Sequence, residues 1–511
     1  MTTSEPTDLA GSTAATPGAT LVATVASTLP ADDAHPYRTG AWRPQVHEWD
    51  AEPTVVQGEI PADLDGMYLR NTENPVHPAL SAYHPFDGDG MLHMIEFRDG
   101  RAAYRNRFVR TDGFLAEAAE GQSLWSGVLE MPDDAPRTDG WGVRGRMKDA
   151  SSTDVVVHRG EALTSFYFCG DLYRTDLSTG ATVGKQDWGG AAPEWGISAH
   201  TKVDPATGEL LFFSYSKEAP HLRYGSVDAD GRLQVLVDVP LPGARLPHDM
   251  AFTEHHVILN DFPLFWREDL VEAGLHVPKF HRDLPSRFAV LRRDGTGPIR
   301  WFEADPTFVL HFVNAYEDGD EIVLDGFFQR CPQPSAKGAA SLEEAAFRSI
   351  CLDGLQTVLH RWRFDLATGT TSEEDLSDRY TEFGMMPLGL QTKPHRYVYA
   401  ATGEEGRFLF DGLVKHDLVA GTEEAITFGP GVYGSETVVV PRPGATAEDD
   451  AYLVTFTTDV REDVSSCVVY DAADPSAGPV CTLRLPERIS SGTHATWAGR
   501  AEMAGATMLP A

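Results

Sequence analysis

The sequence predicts an all-β fold, with a propeller of about seven blades as the architecture that fits best. Three observations carry this. Short β-type runs recur from about residue 46 to about residue 500, turn signals punctuate them, and only one stretch has the pattern of a helix. Many short strands with regular turns leave a sandwich, a barrel or a propeller. A sandwich is too small for about 455 residues, whereas seven blades would take about 65 residues each, with long loops on one face.

The elements follow in chain order. Residues 1–44 are rich in Ala, Thr, Ser and Pro and are expected to be disordered or loosely draped over a single domain spanning 45–511. The strand-like runs are Val155–Val157, Leu210–Phe213, Val257–Leu259, Glu321–Leu324, Arg396–Tyr399 and Thr437–Val440. Between them, Ser178–Gly180, Asp204–Gly208 and Asp365–Gly369 share a Thr-then-Gly ending. Asp99–Gly100, Asp230–Gly231 and Asp294–Gly295 are hairpin dipeptides. The one predicted helix is Ser341–Arg348, with Ser341 as cap, Glu344 completing a capping box, and Glu343 and Glu344 in the turn that a helix dipole favours.

Composition narrows the function. The 511 residues carry 76 acidic and 42 basic side chains, a formal charge of −34. Nucleic acid and anionic membranes are disfavoured as partners, because phosphate recognition wants Lys and Arg. Five cysteines (Cys169, Cys331, Cys351, Cys467, Cys481) lack CxxC spacing, so neither a disulfide framework nor a zinc–thiolate site is expected, and a reducing cytoplasm fits. No stretch reads as a signal peptide or approaches the roughly 20 apolar residues of a membrane span. No nucleophile elbow or P-loop is present.

Among eighteen histidines, His35, His47, His158, His255, His256, His360 and His416 sit in polar or turn contexts and are read as solvated. Four others lie where a strand-like run meets a loop: His200 in WGISAH, His248 in LPHDM, His311 in FVLHFVNA and His494 in SGTHA. Their gaps of 48, 63 and 183 residues approximate one, one and three blades. Matching inner ends of different blades point at one axis, so four imidazoles would meet there. Iron, copper and zinc all accept neutral nitrogens. Zinc with four protein ligands would be closed and structural, whereas iron(II) keeps positions open. A buried dication calls for carboxylates on the outer ring nitrogens, and Glu317, Glu382 and Glu436 are the candidates.

At these residues the sequence resembles the carotenoid cleavage oxygenase family, which includes apocarotenoid-, stilbene- and phenylpropene-cleaving dioxygenases. The matching stretches are GMYLRNTENP from Gly66, FDGDGMLH from Phe86, AHTKVD from Ala199, LPHD from Leu246, HFVNAYE from His311, and LP…GTH ending at His494. The resemblance implies a seven-bladed propeller with iron(II) on its axis, held by His200, His248, His311 and His494, under an arch of loops and helix. It implies Glu382 and Glu436 as carboxylates behind the histidines, 112 and 58 residues before His494. A third is expected about 33 residues before His200, where Phe166–Tyr167–Phe168 stands instead. Phe166, Tyr167, Phe168, Phe312 and Glu317 are the candidate substrate-pocket residues.

The implied reaction is O2-dependent cleavage of a C=C bond to carbonyl products, one Fe(2+) per chain. The negative charge and the change at Tyr167 favour a phenolic alkene: a phenylpropene, vinylphenol or stilbene. A carotenoid or apocarotenoid is the alternative, for which Phe262–Trp266 with Leu270 and Leu275 would form an apolar mouth or lid, broken by Arg267, Glu268 and Asp269. That would be membrane contact of a peripheral kind at most. An isomerohydrolase-type reaction on a retinoid ester would use the same iron site. A non-catalytic binding propeller is the reading from another class.

Overall fold

A computed structural model describes residues 18–131, 134–137, 147–266 and 278–510. The chain forms seven antiparallel blades around one axis. The first is six-stranded and runs, from rim to axis, Ala19–Thr24, His47–Ala51, Arg101–Phe108, Gly90–Arg98, Gly66–Glu73 and Ala495–Gly499. The second, third and fourth follow, with Asp154–His158, Lys202–Val203 and Ala251–Phe252 innermost. The fifth and sixth share one sheet through the 15-residue strand Thr371–Met385. The seventh contains Val438–Pro441 and Ala451–Asp459.

Two exchanges close the ring. Ala495–Gly499, near the C-terminus, pairs with Gly66–Glu73 of the first blade, and Thr54–Gly58 pairs with Pro479–Arg484 of the seventh. Closure joins the chain's two ends by backbone hydrogen bonds and leaves no gap between first and last blade.

Each sequence-predicted run lies in or overlaps a strand. LLFFSY, Leu210–Tyr215, is buried at all six positions, because both faces of a central strand pack on neighbouring blades. Asp99 and Gly100 both take positive φ, 51° and 70°, in the two-residue turn joining Gly90–Arg98 to Arg101–Phe108. The helix at Leu342–Arg348 is capped by Ser341, whose Oγ accepts from the Glu344 N–H. Glu344 reaches back to the Ala340 N–H rather than to Ser341. A second helix, Asp112–Glu120, escaped the sequence reading, although Thr111 caps it and Gly121 ends it at φ 68°. Its signals are ordinary ones set in a short stretch between strands.

From Gly18 on, the N-terminal segment follows a definite course over the first blade. Ala19–Thr24 pairs with His47–Ala51, and Tyr37 and Trp42 are buried. Residues 1–17 lie outside the described residues. Tyr37 and Trp42 join Tyr83, Ile350, Leu352, Phe383 and Phe408 in one cluster, the arch over one end of the axis. Phe262, expected at an apolar mouth, instead packs in the core against Phe288 and Phe308. Arg267, Glu268, Asp269, Leu270 and Leu275 lie outside the described residues.

Candidate metal centre and the pocket above it

Each ligand candidate stands just before the innermost strand of its blade. His200 precedes Lys202–Val203, His248 precedes Ala251–Phe252, His311 precedes Phe312–Asp318 and His494 precedes Ala495–Gly499. The four rings converge. His200 lies 4.8, 5.0 and 4.6 Å from the rings of His248, His311 and His494, and His311 lies 4.6 Å from His494. The Nε2 atoms of His200 and His248 are 3.1 Å apart.

Their outer nitrogens meet carboxylates. His311 Nδ1 is 2.6 Å from Glu382 Oε2, and His494 Nδ1 is 3.5 Å from Glu436 Oε2. His200 Nδ1 is 3.0 Å from Asp154 Oδ2, a residue the sequence reading did not single out. It stands at the start of Asp154–His158, where a strand-initial Asp carries no signal of its own. Such pairing fixes each tautomer with Nδ1–H outward and a lone pair inward.

Electrostatics agree at three of the four histidines. Burial holds His200, His248 and His311 well below the usual histidine range, so they are neutral donors. Burial opposes protonation of His494 too, but the Glu436 carboxylate raises it to about 9. Burial also pushes Glu382 well above the carboxylate range and Asp154 up to about 6. The Nε2 atoms of His200 and His248, 3.1 Å apart, and a buried His311 Nε2 with no partner among the described residues converge where a cation would satisfy all three. The donor set therefore fits a divalent metal.

A cavity of about 140 Å³ lies on the axis beside the cluster. All seven blades line it, and Lys202 spans it to Asp249 at 2.7 Å. Elsewhere around the cluster, aromatic rings form an unbroken circuit. Tyr167 is 6.5 Å from His248 and meets Phe86 edge-on at 5.6 Å; Phe86 meets Phe408, and Phe408 meets Phe383. Phe383 returns to the cluster, 4.7 Å from His311 and 5.1 Å from His494.

The other pocket candidates divide. Phe166 and Phe168 pack against Tyr167 in the turn after Glu161–Ser165 and are buried. Phe312 bounds the axial cavity and packs against Phe288 and Trp362. Glu317 is a correction: it is neither behind a ligand histidine nor in the pocket. Six residues beyond His311, about 20 Å along an extended strand, it accepts from Thr253, His255 and His256. Its polar neighbours belong to the turn between Ala251–Phe252 and His256–Asp261 of the adjacent, fourth blade. Three histidines read as solvated are in fact buried. His158 contacts the Gly208 carbonyl, His360 pairs with Asp375 and His416 with Glu423, because strand alternation turns them inward.

Comparison with known proteins decides the family. The family profile described as retinal pigment epithelial membrane protein matches residues 42–499. The chain belongs to the carotenoid cleavage oxygenase family. It is an alkene-cleaving oxygenase, and its seven-bladed propeller is that of solved members. A carotenoid 9,10(9',10')-cleavage dioxygenase of Crocus sativus is 31% identical, aligned over 90% of this chain and 88% of that protein. The crystal structure of Pseudomonas brassicacearum lignostilbene dioxygenase superposes with a TM-score of 0.78 at 26% identity, covering 91% of this chain and 99% of that one. The cobalt-substituted apocarotenoid oxygenase of Synechocystis gives 0.79 at 29% identity, covering 89% and 97%. A metal has thus been placed in a protein of this fold.

Proposed function

We propose that this chain is a non-haem iron(II) dioxygenase that cleaves the C=C bond of a phenolic alkene to aldehydes with O2. The observation that carries it is four imidazoles converging on one axis, three backed by carboxylates. His200, His248, His311 and His494 would hold one Fe(2+), and neutral nitrogen donors with no carboxylate in contact leave iron its full charge. When bound, the iron supplies the activation of O2. The chain's own residues do the rest. Phe86, Phe383 and Phe408 exclude water and hold a flat, apolar substrate by ring contact. Asp154, Glu382 and Glu436 hold the ligand tautomers.

Two buried atoms support a phenolic substrate. The Tyr167 hydroxyl and Glu73 Oε2 have no hydrogen-bond partner among the described residues. They are tied to one framework: Thr493 donates to Glu73 Oε1 at 2.9 Å, and Thr153 Oγ1 accepts from the Tyr167 N–H at 3.1 Å. Thr493 and Thr153 are also joined, at 3.5 Å. A hydroxylated arene satisfies a donor and an acceptor of this kind, whereas a plain polyene leaves both unpaired. A carotenoid or apocarotenoid is the second reading, favoured by the names of the Crocus and Synechocystis relatives. Five cysteines, none of them in a disulfide, support a reducing, cytoplasmic setting.

The test is metal analysis after anaerobic reconstitution, then O2 uptake and aldehyde detection with isoeugenol, resveratrol and an apocarotenal. Iron at one per chain and aldehyde from the phenolic alkenes are expected, with both lost in His248→Ala and His311→Ala. Product from the apocarotenal alone would favour the second reading. Absence of iron and of O2 uptake would leave a binding propeller.

A further inference from the structure

The seven innermost strands each deliver one metal-site residue to the same end of the axis. Around the ring these are His494, Asp154, His200, His248, His311, Glu382 and Glu436, one from each blade. Four are histidines and three are carboxylates. Each carboxylate serves the histidine of an adjacent blade: Asp154 serves His200, Glu382 serves His311 and Glu436 serves His494. His248 has a histidine blade on either side, and no carboxylate contacts it among the described residues.

The three carboxylates are also held alike. Asp154 Oδ1 accepts from the Val155 N–H, Glu382 Oε2 from the Phe383 N–H and Glu436 Oε2 from the Ala495 N–H, each at 2.7 Å. A backbone donor on each fixes the carboxylate before any metal binds, as orientation of a ligand histidine requires. Asp154 is thus built into the cluster on the same plan as the two glutamates.

We infer that Asp154 is the third carboxylate of this metal site, a positioning residue that orients His200 and supplies the negative charge missing at Tyr167. The carboxylate expected near residue 167 has moved thirteen positions earlier, from the turn after Glu161–Ser165 to the first residue of an innermost strand. It has also changed its client. A carboxylate replacing Tyr167 would face His248, whose ring is 6.5 Å from the Tyr167 ring, whereas Asp154 holds His200. The count of three carboxyl groups is kept, and a tyrosine hydroxyl takes the vacated place beside the aromatic circuit.

The inference rests on reading the cluster as a metal site, and the test separates the two. Metal-stripped protein is titrated with cobalt(II), followed by visible absorption and calorimetry, for wild type, Asp154→Asn and the double variant Asp154→Asn/Tyr167→Glu. Asn is nearly isosteric, so melting of the metal-free protein is expected to be unchanged. Should it shift, Asp154→Glu, which keeps the charge, is expected to hold affinity near wild type. Asp154→Asn is expected to weaken cobalt binding by roughly 10–100-fold and to alter its absorption. The double variant is expected to regain most of that loss, because charge returns behind His248. Unchanged affinity in Asp154→Asn, or no recovery in the double variant, overturns the inference. If wild type itself takes up no cobalt, the metal reading fails instead.

Discussion

His200 has φ of +61°, a left-handed backbone conformation that a bulky residue adopts only when its surroundings impose it. Ser151, Cys169 and Phe383, all close to the site, share it at 48°, 55° and 55°. Strain of this kind costs about 1–3 kcal/mol per residue, and at His200 and Phe383 it coincides with positions that aim rings at the axis. Tyr167 is the complementary case: a buried polar atom left unpaired instead of a backbone left strained. If its hydroxyl meets the substrate phenol, Tyr167→Phe raises KM for isoeugenol about tenfold, matching one hydrogen bond of about 1.4 kcal/mol. KM for an apocarotenal and the affinity for cobalt stay unchanged. Steady-state kinetics on both substrates check this, and equal effects on the two would discard the phenol contact.

The strand Thr371–Met385 shows how an element carries function. Its first part pairs with Thr357–Asp365 of the fifth blade and its last part with Tyr397–Gly403 of the sixth. The register shifts between Glu382 and Met385. That irregularity turns Glu382 toward His311 and Phe383 toward the aromatic circuit. Gly384 makes it possible: a Cβ there would lie 2.7 Å from the Phe327 ring and 2.9 Å from Val313 Cγ2. Gly384→Ala is therefore expected to lose about 1–3 kcal/mol in urea unfolding through overpacking. Displacing Glu382 should also weaken metal binding. Wild-type unfolding with wild-type cobalt affinity would show that the bulge tolerates a side chain.

At the scale of the whole molecule, closure holds the site together, because seven inner strand ends meet only if the ring shuts. Trp497 lies on the closing strand, paired opposite Tyr68 and stacked on Phe97 at 6.3 Å. It is largely buried, and it also lines the axial cavity. Trp497→Ala is expected to cost about 3–5 kcal/mol in chemical denaturation. Metal affinity should fall with it, since His494 is three residues away on the same segment. A stability loss under about 1 kcal/mol, within the range of surface substitutions, would show that closure does not depend on this ring. Helices of the chain play a smaller part, and among the described residues none is long and apolar enough to cross a membrane.

Local sequence by itself determined the strands, the hairpin turns and the Ser341 cap, because alternation, Asp–Gly dipeptides and capping act over a few residues. Blade-length spacing and the family resemblance together brought out His200, His248, His311, His494, Glu382 and Glu436. Only the tertiary structure decided which carboxylate backs which histidine. Asp154 reaches His200 across a blade boundary 46 residues apart in the chain, and Glu382 reaches His311 across 71. Glu317, the last residue of the HFVNAYE stretch that begins at His311, points instead at a turn of the neighbouring blade. Partnership between blades is set by which strand ends share the axis. That is a property of closure, and no single segment of sequence contains it.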